Sequence, residues 1–403
     1  MTVLHLVAKR VLPYPGGLQE SIMRISGSLA LAGYRVVVYA LDQPPGYRFV
    51  DSTYPGLMTV LHLDGQERLL EPYCGEGYSG LLGKEKGRVA ALLLRNAVDR
   101  QVENDPDSQH LIVSFYASGT GFLAQMTATA LRLPHLASVR GTDFELDVFG
   151  TKPHSRLRVT VEGASQVVTT NREQADSLSA IFKVRQPVRT IHNALPEAAS
   201  RPLWQASSAD TVRLISDCGF SGRKATHILL SAVAALVERN LPVSLTVLGG
   251  IFWLEPRDYW TECQRSYQSR YSGKFSFPGQ VSHEELDRYL RSSHIYCSAS
   301  LAEGSSMSRI RALTLGIPMV TTANGGLPEV ASGCRHVRLC RAGDGEALTS
   351  ALEAAVSDML AGTLRPDRAC IERWQRHFCV ERERDEWMAA IEAALAGGYQ
   401  ERS

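Results

Sequence analysis

Residues 298–308 combine one carboxylate with glycine and small hydroxyl residues, a composition suited to binding a sugar phosphate. They lie between a predicted strand that ends near Ser298 and a predicted helix that begins near Ser308. Ligands of open α/β sheets bind at the carboxyl ends of strands. Glu303 can accept hydrogen bonds from sugar hydroxyls there, with a solvated Glu303 and a helix capped by a serine as the alternative. The backbone N–H groups that can face a phosphate or a hydroxyl belong to Gly304, Ser305, Ser306 and Met307.

Glycine-rich segments follow other predicted strands as well. Residues 312–320 indicate a helix that stops at Gly316 and leads into a buried strand, and residues 323–330 form a glycine-rich loop expected at the same sheet edge as Glu303. After the first predicted strand, Gly16 and Gly17 precede a helix that begins near Glu20. Backbone N–H groups can approach an anionic ligand at such a turn, although an ordinary strand-to-helix connection has the same pattern.

The elements that must position these residues alternate between short apolar runs and longer helical patterns. Strands are predicted at 3–7, 35–41, 59–63, 111–115, 135–139, 166–170, 188–191, 212–216, 243–248, 274–277, 294–298, 317–321 and 336–339. Helices are predicted at 20–32, 226–239, 282–291 and 308–315, with a final helical pattern at 373–396. Thirteen alternating strands favour two parallel, doubly wound α/β sheets. The boundary is expected within 194–210, which is rich in Pro, Ala and Ser.

Taken in order, the motifs resemble the donor-site signature of retaining family-four glycosyltransferases of the GT-B fold. The signature comprises Glu303-Gly304, residues 316–320 and residues 325–330. Further motifs agree along nearly the whole chain, namely Pro15-Gly16-Gly17, Arg140–Asp143, Ile191–Ala194, Lys224 with the helix after it, Leu248–Gly250 and Pro278–Val281.

The resemblance implies two Rossmann-like domains facing across a cleft. Residues 1–198, with a returning helix at about 380–403, would bind the acceptor, and residues 205–379 would bind the nucleotide sugar. In the family, the residue matched by Glu303 contacts the donor sugar and the one matched by Lys224 binds the leaving diphosphate. The expected donor-site residues are Gly16, Gly17, Gly249, Gly250, Gly279, Gln280, Val281, Gly304, Ser305, Ser306, Met307 and Arg311. The sugar would pass from a UDP- or GDP-sugar with retention, and neither a metal nor another cofactor is expected.

Two positions depart from the family's pattern. The family has a second Glu eight residues after the first, commonly at the ribose, where this chain has Arg311. Arginine only donates hydrogen bonds, so Arg311 is expected to meet a phosphate or to pair with an acid. The family also usually has an Arg five residues before the lysine, where this chain has Gly219; Arg223 is expected either to replace it or to be solvated. A non-catalytic relative that binds a nucleotide sugar therefore stays an alternative.

Candidate acceptor-side residues follow strands in the first half of the chain. Arg140 and Asp143 stand where many relatives have a His near the catalytic centre, and a structural ion pair between them is the alternative to a catalytic role. His192, Asn193 and Tyr116 are candidate acceptor contacts. Three other histidines near strands are expected to pack or cap, namely His5, His110 and His135.

Three patterns point to other chemistries. Asp105-Pro106-Asp107 has the spacing of a metal-binding Asp-x-Asp, but it lies in a predicted polar turn. Residues 222–224 lack the upstream Gly and the following Ser or Thr of a P-loop. Gly119-x-Gly121-x-x-Ala124 and Arg140 fit an NADP-binding fingerprint, yet they do not begin a chain-leading βαβ unit. An NADP-dependent oxidoreductase remains the alternative from another class.

Composition excludes several kinds of protein. The net charge of +1 gives no basic field for nucleic acid or anionic lipid, and the longest uncharged stretch, 111–131, is broken by polar residues, so no membrane insertion is expected. Eight cysteines without a CxxC pair, in a chain without a signal-peptide pattern, predict reduced, mostly buried thiols and a cytoplasmic protein. Of the 43 cationic residues 36 are Arg, which favours a GC-rich bacterial source.

The sequence therefore predicts a cytoplasmic bacterial glycosyltransferase, monomeric or homodimeric, acting on a small-molecule acceptor. The altered donor site favours specialised metabolite or antibiotic biosynthesis, with an amino-sugar donor or a sulfur acceptor as examples. A basic or amphipathic N-terminal patch for membrane docking is not evident. Cell-envelope or exopolysaccharide assembly is the alternative within the same enzyme class.

Overall fold

The alternating apolar runs of the sequence form strands of two parallel sheets. A computed structural model describes residues 1–11, 17–41, 58–62, 84–195, 204, 210–252 and 255–399. The chain divides into two units, which are Met1–Ala194 with Val380–Ser403, and Leu195–Cys379. All thirteen predicted strands are found within the described residues, each within two residues of its predicted ends.

The sheet of the first unit has the strand order β3-β2-β1-β4-β5-β6-β7. Its strands are β1 (Thr2–Ala8), β2 (Arg35–Ala40), β3 (Met58–His62), β4 (Gln109–Phe115), β5 (His135–Ser138), β6 (Gln166–Thr169) and β7 (Arg189–Thr190). The helices between them are α1 (Gly17–Leu31), α2 (Lys84–Asn104), α3 (Thr120–Leu131), α4 (Thr142–Glu145), α5 (Thr151–Gly163) and α6 (Arg172–Ile181). Alternate residues of β1 enter different cores: Leu4 and Leu6 pack with residues of α1, and Val3 and Val7 with residues of α2 and α3. Helices thus cover both faces, as a parallel sheet requires.

The sheet of the second unit has the strand order β10-β9-β8-β11-β12-β13. Its strands are β8 (Val212–Ser216), β9 (Val243–Leu248), β10 (Phe275–Gly279), β11 (Ile295–Ser298), β12 (Met319–Thr322) and β13 (Val337–Cys340). Its helices are α7 (Thr226–Glu238), α8 (Arg257–Arg270), α9 (His283–Ser292), α10 (Met307–Leu315), α11 (Leu327–Ala331), α12 (Gly345–Leu360) and α13 (Arg368–His377). Because β8 pairs with both β9 and β11, the loops that follow β8 and β11 leave the same edge of the sheet.

The helical pattern predicted at 373–396 is two helices and not one. Helix α13 ends at His377, and a separate helix α14 (Val380–Gly397) belongs to the first unit. Phe378 packs in a core of the second unit, whereas Trp387 packs in a core of the first. Arg24 on α1 holds α14 through two 2.8 Å hydrogen bonds to the buried Glu383 carboxylate. The helix therefore breaks where its apolar residues change from one core to the other.

The prediction of reduced thiols is wrong for Cys334 and Cys370. These two residues form a disulfide, with Cα atoms 6.2 Å apart and 36 residues of sequence separation. Cys334 lies just after α11 and Cys370 lies on α13, so the bond joins two elements that pack in the same core. The described cysteines that are free are Cys218, Cys263, Cys297, Cys340 and Cys379, all buried or half-buried.

Within the described part of the chain, none of the helices has the length and apolar character needed to cross a membrane.

Candidate functional site

Glu303 and Lys224, predicted to serve one ligand, are in direct contact at the edge of the second sheet. The Lys224 Nζ atom donates to Glu303 Oε1 at 2.5 Å. The Arg223 guanidinium lies 3.9 Å from the other carboxylate oxygen and donates to the Ala302 carbonyl at 3.0 Å. The Leu301 N–H in turn donates to the Arg223 carbonyl at 2.9 Å. The loops after β8 and β11 are therefore held together by both backbone and side-chain bonds.

Glu303 is only 9 % exposed, yet it stays ionised. Burial by itself raises the pKa of the carboxyl group, but the cations of Lys224, Arg309 and Arg223 outweigh this effect. The pKa of Glu303 consequently lies below its ordinary value. Sequence reasoning missed Arg309, which lies two positions before Arg311 on α10 and is buried.

Arg309 connects the ends of two neighbouring strands. Its Nε and Nη2 atoms donate to Ser298 Oγ at 3.3 and 3.2 Å, at the end of β11. Nη2 also donates to Thr322 Oγ1 at 3.2 Å, at the end of β12, and Nη1 donates to Asn324 Oδ1 at 2.8 Å. The only sequence signal for this role is an arginine inside an otherwise apolar stripe of a short helix.

Gly325 explains why the glycine-rich loop at 323–330 belongs to the same site. Its φ is +60°, a conformation that favours glycine. A Cβ atom there would lie 2.7 Å from the Gly304 carbonyl oxygen and even closer to that of Glu303. The loop after β12 thus supports the backbone of Glu303 from behind, and no side chain fits between them.

The N-terminus of α10 is the third part of this site. Ser306 occupies the N-cap position without a side-chain hydrogen bond to the helix. A helix capped by this serine, the alternative considered for this segment, is therefore not found. Ser305, Ser306 and Met307 are half-buried, and so is Arg311 on α10. The start of a helix without a side-chain cap, three residues after Glu303, gives a position suited to an anion.

The backbone explains why position 219 is a glycine, which the sequence alone did not reveal. Its φ is +61°, and a Cβ atom there would lie 2.7 Å from the Gly250 carbonyl oxygen. Gly249, with φ +101°, touches the backbone of Gly219 just as closely and donates its N–H to the Gly279 carbonyl at 2.7 Å. The loops after β8, β9 and β10 therefore meet through glycine backbones. Beyond Gly279, Gln280 is exposed and Val281 packs against the core.

In the first unit, Asp143 binds backbone and not the Arg140 side chain. Its carboxylate accepts from the N–H groups of Ala117 at 2.8 Å, Arg140 at 2.9 Å and Gly141 at 2.9 Å. Burial raises the pKa of Asp143 to about 6, although these hydrogen bonds act to lower it. Within the described structure the two side chains form no ion pair, so that alternative is wrong. Asp143 fixes the loop after β5.

Arg140 contacts another predicted residue instead. Its Nη2 atom donates to Asn193 Oδ1, and its guanidinium carbon lies 5.9 Å from the centre of the Phe115 ring. Burial lowers the pKa of Arg140 to about 10, which leaves it charged at neutral pH. The carbonyl of His192 accepts from Arg382 Nη2 at 2.9 Å.

Tyr116 has a φ of +79°, an uncommon conformation for a residue with a side chain. Burial, and then the charges of Asp143 and Asp147, raise the pKa of its phenol. The structure thus places Tyr116 beside Asp143 in the first unit. Strained backbone at a predicted site residue suits a functional position.

The patterns that pointed to other chemistries have structural explanations. A Cβ atom at Gly121 would lie 3.0 Å from Thr160 Cγ2 and 3.2 Å from the Tyr116 carbonyl, so close packing inside the unit already requires this glycine. Asp105 lies in the turn between α2 and β4 and pairs with Arg35 at 3.2 Å. Among the described residues, no group of three or more His, Cys, Asp or Glu side chains is arranged to hold a metal ion. Gly17 is the first residue of α1, and Gly16 lies outside the described residues.

Solved structures with low sequence identity share this fold over nearly their whole length. Sucrose-phosphate synthase from Thermosynechococcus elongatus matches with a TM-score of 0.76 and 19% identity, covering 99% of this chain and 100% of that one. Anabaena HepE in complex with UDP and glucose matches with a TM-score of 0.70 and 15% identity, covering 97% and 99%. The lipopolysaccharide outer core galactosyltransferase WaaB matches with a TM-score of 0.70 and 10% identity, covering 98% and 99%. No curated protein matches the chain significantly.

Two family models divide the chain between them. A glycosyl transferase 4-like domain matches residues 16–194, and a domain of the group 1 glycosyl transferases matches residues 213–358. The first match ends where the first unit gives way to the second, and the second contains Lys224, Glu303 and α10. The predicted fold class is confirmed, and the chain is a glycosyltransferase of the GT-B type.

Proposed function

We propose that this glycosyltransferase transfers a sugar from a UDP- or GDP-sugar to a small-molecule acceptor, with retention of anomeric configuration and without a metal. The observation that carries the proposal is the bond between Lys224 and Glu303 beside the uncapped N-terminus of α10. At this sheet edge, the carboxylate suits the hydroxyls of a sugar, and the cation and the N–H groups of the helix start suit a diphosphate. Residues 205–379 would bind this donor, and residues 1–198 with the helix at 380–403 would bind the acceptor.

The chemistry depends on stabilising the leaving group. As the glycosidic bond to the diphosphate breaks, negative charge grows on the phosphate oxygens, and preorganised positive groups lower the barrier. Lys224 has three N–H donors, so it can keep its bond to Glu303 while it donates to a phosphate. Arg223 and the N–H groups of Gly304–Met307 would add to this stabilisation.

Glu303 would orient the sugar. Its ionised carboxylate accepts hydrogen bonds from sugar hydroxyls, and its fixed position restricts the sugar to one reactive geometry. Since Glu303 is already bonded to Lys224, it is poorly placed to act as a nucleophile. Retention would then follow from attack on the face that the diphosphate leaves, with the departing phosphate taking the acceptor's proton.

The acceptor side would use the cluster in the first unit. Arg140 and Asn193 are hydrogen-bonded to each other, and Tyr116 lies beside Asp143. With His192, these groups offer donors and acceptors for a polar small molecule. We infer a specialised metabolite as the acceptor, with an amino-sugar donor or a sulfur acceptor as examples. Because one neighbour in fold is a lipopolysaccharide galactosyltransferase, cell-envelope assembly remains the second candidate.

Binding of nucleotides tests the donor site directly. Calorimetric titration with UDP, GDP, ADP and NADPH, each with and without EDTA, should give metal-independent binding of one nucleoside diphosphate. UDP is the first nucleotide to test, because Anabaena HepE, which shares this fold, has been solved in complex with UDP-glucose. Binding of NADPH alone, or of none of the four, would overturn the proposal, and binding of a nucleoside diphosphate without turnover of its sugar would favour the non-catalytic relative.

Two substitutions then test turnover. Glu303→Gln and Lys224→Ala should each lower donor consumption at least tenfold while the protein stays folded. Arg239→Ala is the matched control, because Arg239 forms a surface ion pair with Glu353 in the same unit. Turnover near that of the control in both variants would refute the assigned site.

A further inference from the structure

We propose that Arg309 is the positioning residue for Glu303, acting as a buried cation that joins the ends of β11 and β12 and holds the Glu303 loop in place. This inference rests on the proposed function for the role of Glu303 in donor binding. The arrangement of Arg309 itself stands on its hydrogen bonds and burial.

Arg309 is 3 % exposed, and all of its hydrogen-bond acceptors belong to neutral side chains. They are Ser298 Oγ, Thr322 Oγ1 and Asn324 Oδ1. It forms no ion pair with a described carboxylate within salt-bridge distance. Burying a charge costs desolvation free energy, which hydrogen bonds and attraction to a nearby opposite charge must offset. The carboxylate that its charge acts upon is Glu303.

A second layer of bonds connects Arg309 to the Glu303 loop. Asn324, held by Arg309, donates its Nδ2 to the Ser300 carbonyl at 2.5 Å. Thr322 donates its hydroxyl to the same carbonyl at 2.6 Å. Ser300 precedes Glu303 by three residues, and Gly325, next to Asn324, supports the carbonyl of Glu303. Displacing Arg309 would therefore loosen the Glu303 loop both at the Ser300 carbonyl and at the Glu303 carbonyl.

The geometry requires an arginine and not merely a cation. Arginine carries several N–H groups in a rigid planar fork, whereas lysine carries one compact charge. Three nitrogens of Arg309 bind at three positions on two strand ends and one loop. A lysine would keep the charge and lose this bracing, so Arg309→Lys and Arg309→Met separate the two effects.

The direct readout is the titration of Glu303. In protein with ¹³C-labelled glutamate, Glu303→Gln identifies the Glu303 carboxyl signal. Lys224, Arg223 and Arg309 are the charged groups that face this carboxylate. Removing the Arg309 charge with Arg309→Met should raise the pKa of Glu303 by about half a unit or more, and Arg309→Lys should leave it near its original value. An unchanged pKa in folded Arg309→Met would overturn the proposal.

The second readout is donor affinity. Arg309→Lys should bind UDP-glucose at least tenfold more weakly than the unsubstituted protein, with UDP affinity changed less, and on a Glu303→Gln background it should add no further loss. Arg239→Met is the control and should change neither readout. If Arg309→Met does not fold, Arg309→Lys still decides, because unsubstituted-like UDP-glucose affinity would overturn the proposal. If the protein binds neither UDP-glucose nor any other UDP- or GDP-sugar, the proposed function fails, while the titration still tests the link between Arg309 and Glu303.

Discussion

Replacing Gly325 with alanine tests whether the position of Glu303 matters for turnover. The added methyl group would lie 2.7 Å from the Gly304 carbonyl oxygen, well inside the roughly 3.5 Å of an ordinary nonbonded contact, and closer still to the carbonyl of Glu303. The Glu303 backbone must therefore move by close to 1 Å. A misplacement of about that size can lower a reaction rate by about 100-fold. We expect Gly325→Ala to lower turnover by this factor.

The matched control separates displacement from backbone strain. Gly362 has a φ of +69°, close to the +60° of Gly325, but a Cβ atom there meets nothing within 4 Å. Each substitution places an alanine in the left-handed backbone conformation, which costs roughly 1–2 kcal/mol of stability. Only Gly325→Ala also creates the clash. Donor consumption, measured with UDP-glucose or the nucleotide sugar that binds, should fall in Gly325→Ala and persist in Gly362→Ala. Equal turnover in the two variants would refute the claim that this loop positions Glu303.

Three further predictions concern charge, acidity and the disulfide. Arg311→Glu, which restores the family's carboxylate, should weaken nucleoside diphosphate binding at least tenfold in calorimetry if Arg311 meets a phosphate, and tighter binding would contradict that role. Burial lowers the pKa of both His5 and His135 to about 3. The unfolded chain then binds protons that the folded one does not, so each histidine should lower stability by about 1.2 kcal/mol between pH 7 and 5.5. Asp143, whose pKa is raised to about 6, contributes in the opposite direction but less than the two histidines together, so urea titrations should show a net fall, and equal stability would argue against it. Cys334→Ser with Cys370→Ser should lower the unfolding free energy of the second unit by about 3–4 kcal/mol, and a reductant should destabilise only the unsubstituted protein.

Local sequence patterns were sufficient for the fold and for the meeting of Lys224 with Glu303. Apolar, β-branched runs of four to seven residues fix their own secondary structure, which is why each strand was located to within two residues. Lys224 and Glu303 were also predictable, because residues that follow adjacent parallel strands meet at one edge of the sheet. In these cases the signal lies within a few residues of the feature that it predicts.

What could not be predicted depends on contacts between distant segments. The disulfide joins cysteines 36 residues apart, a spacing without a recognisable pattern. The sequence marks the buried Arg309 only as a charge within an apolar stripe of a short helix, and its partners come from the meeting of β11 and β12. The break after His377 depends on which of two cores receives Phe378.

The structure also bears on the departure from the family's pattern at position 219. Gly219 cannot carry an arginine side chain, because its backbone is in contact with those of Gly249 and Gly250. Positive charge is present nearby all the same: Arg223 lies 3.9 Å from Glu303, and Arg309 lies buried behind the same loop. With Lys224, three cations thus act on a single carboxylate. Positive charge at this edge suits a diphosphate, so the absence of an arginine at position 219 does not by itself argue for an inactive relative.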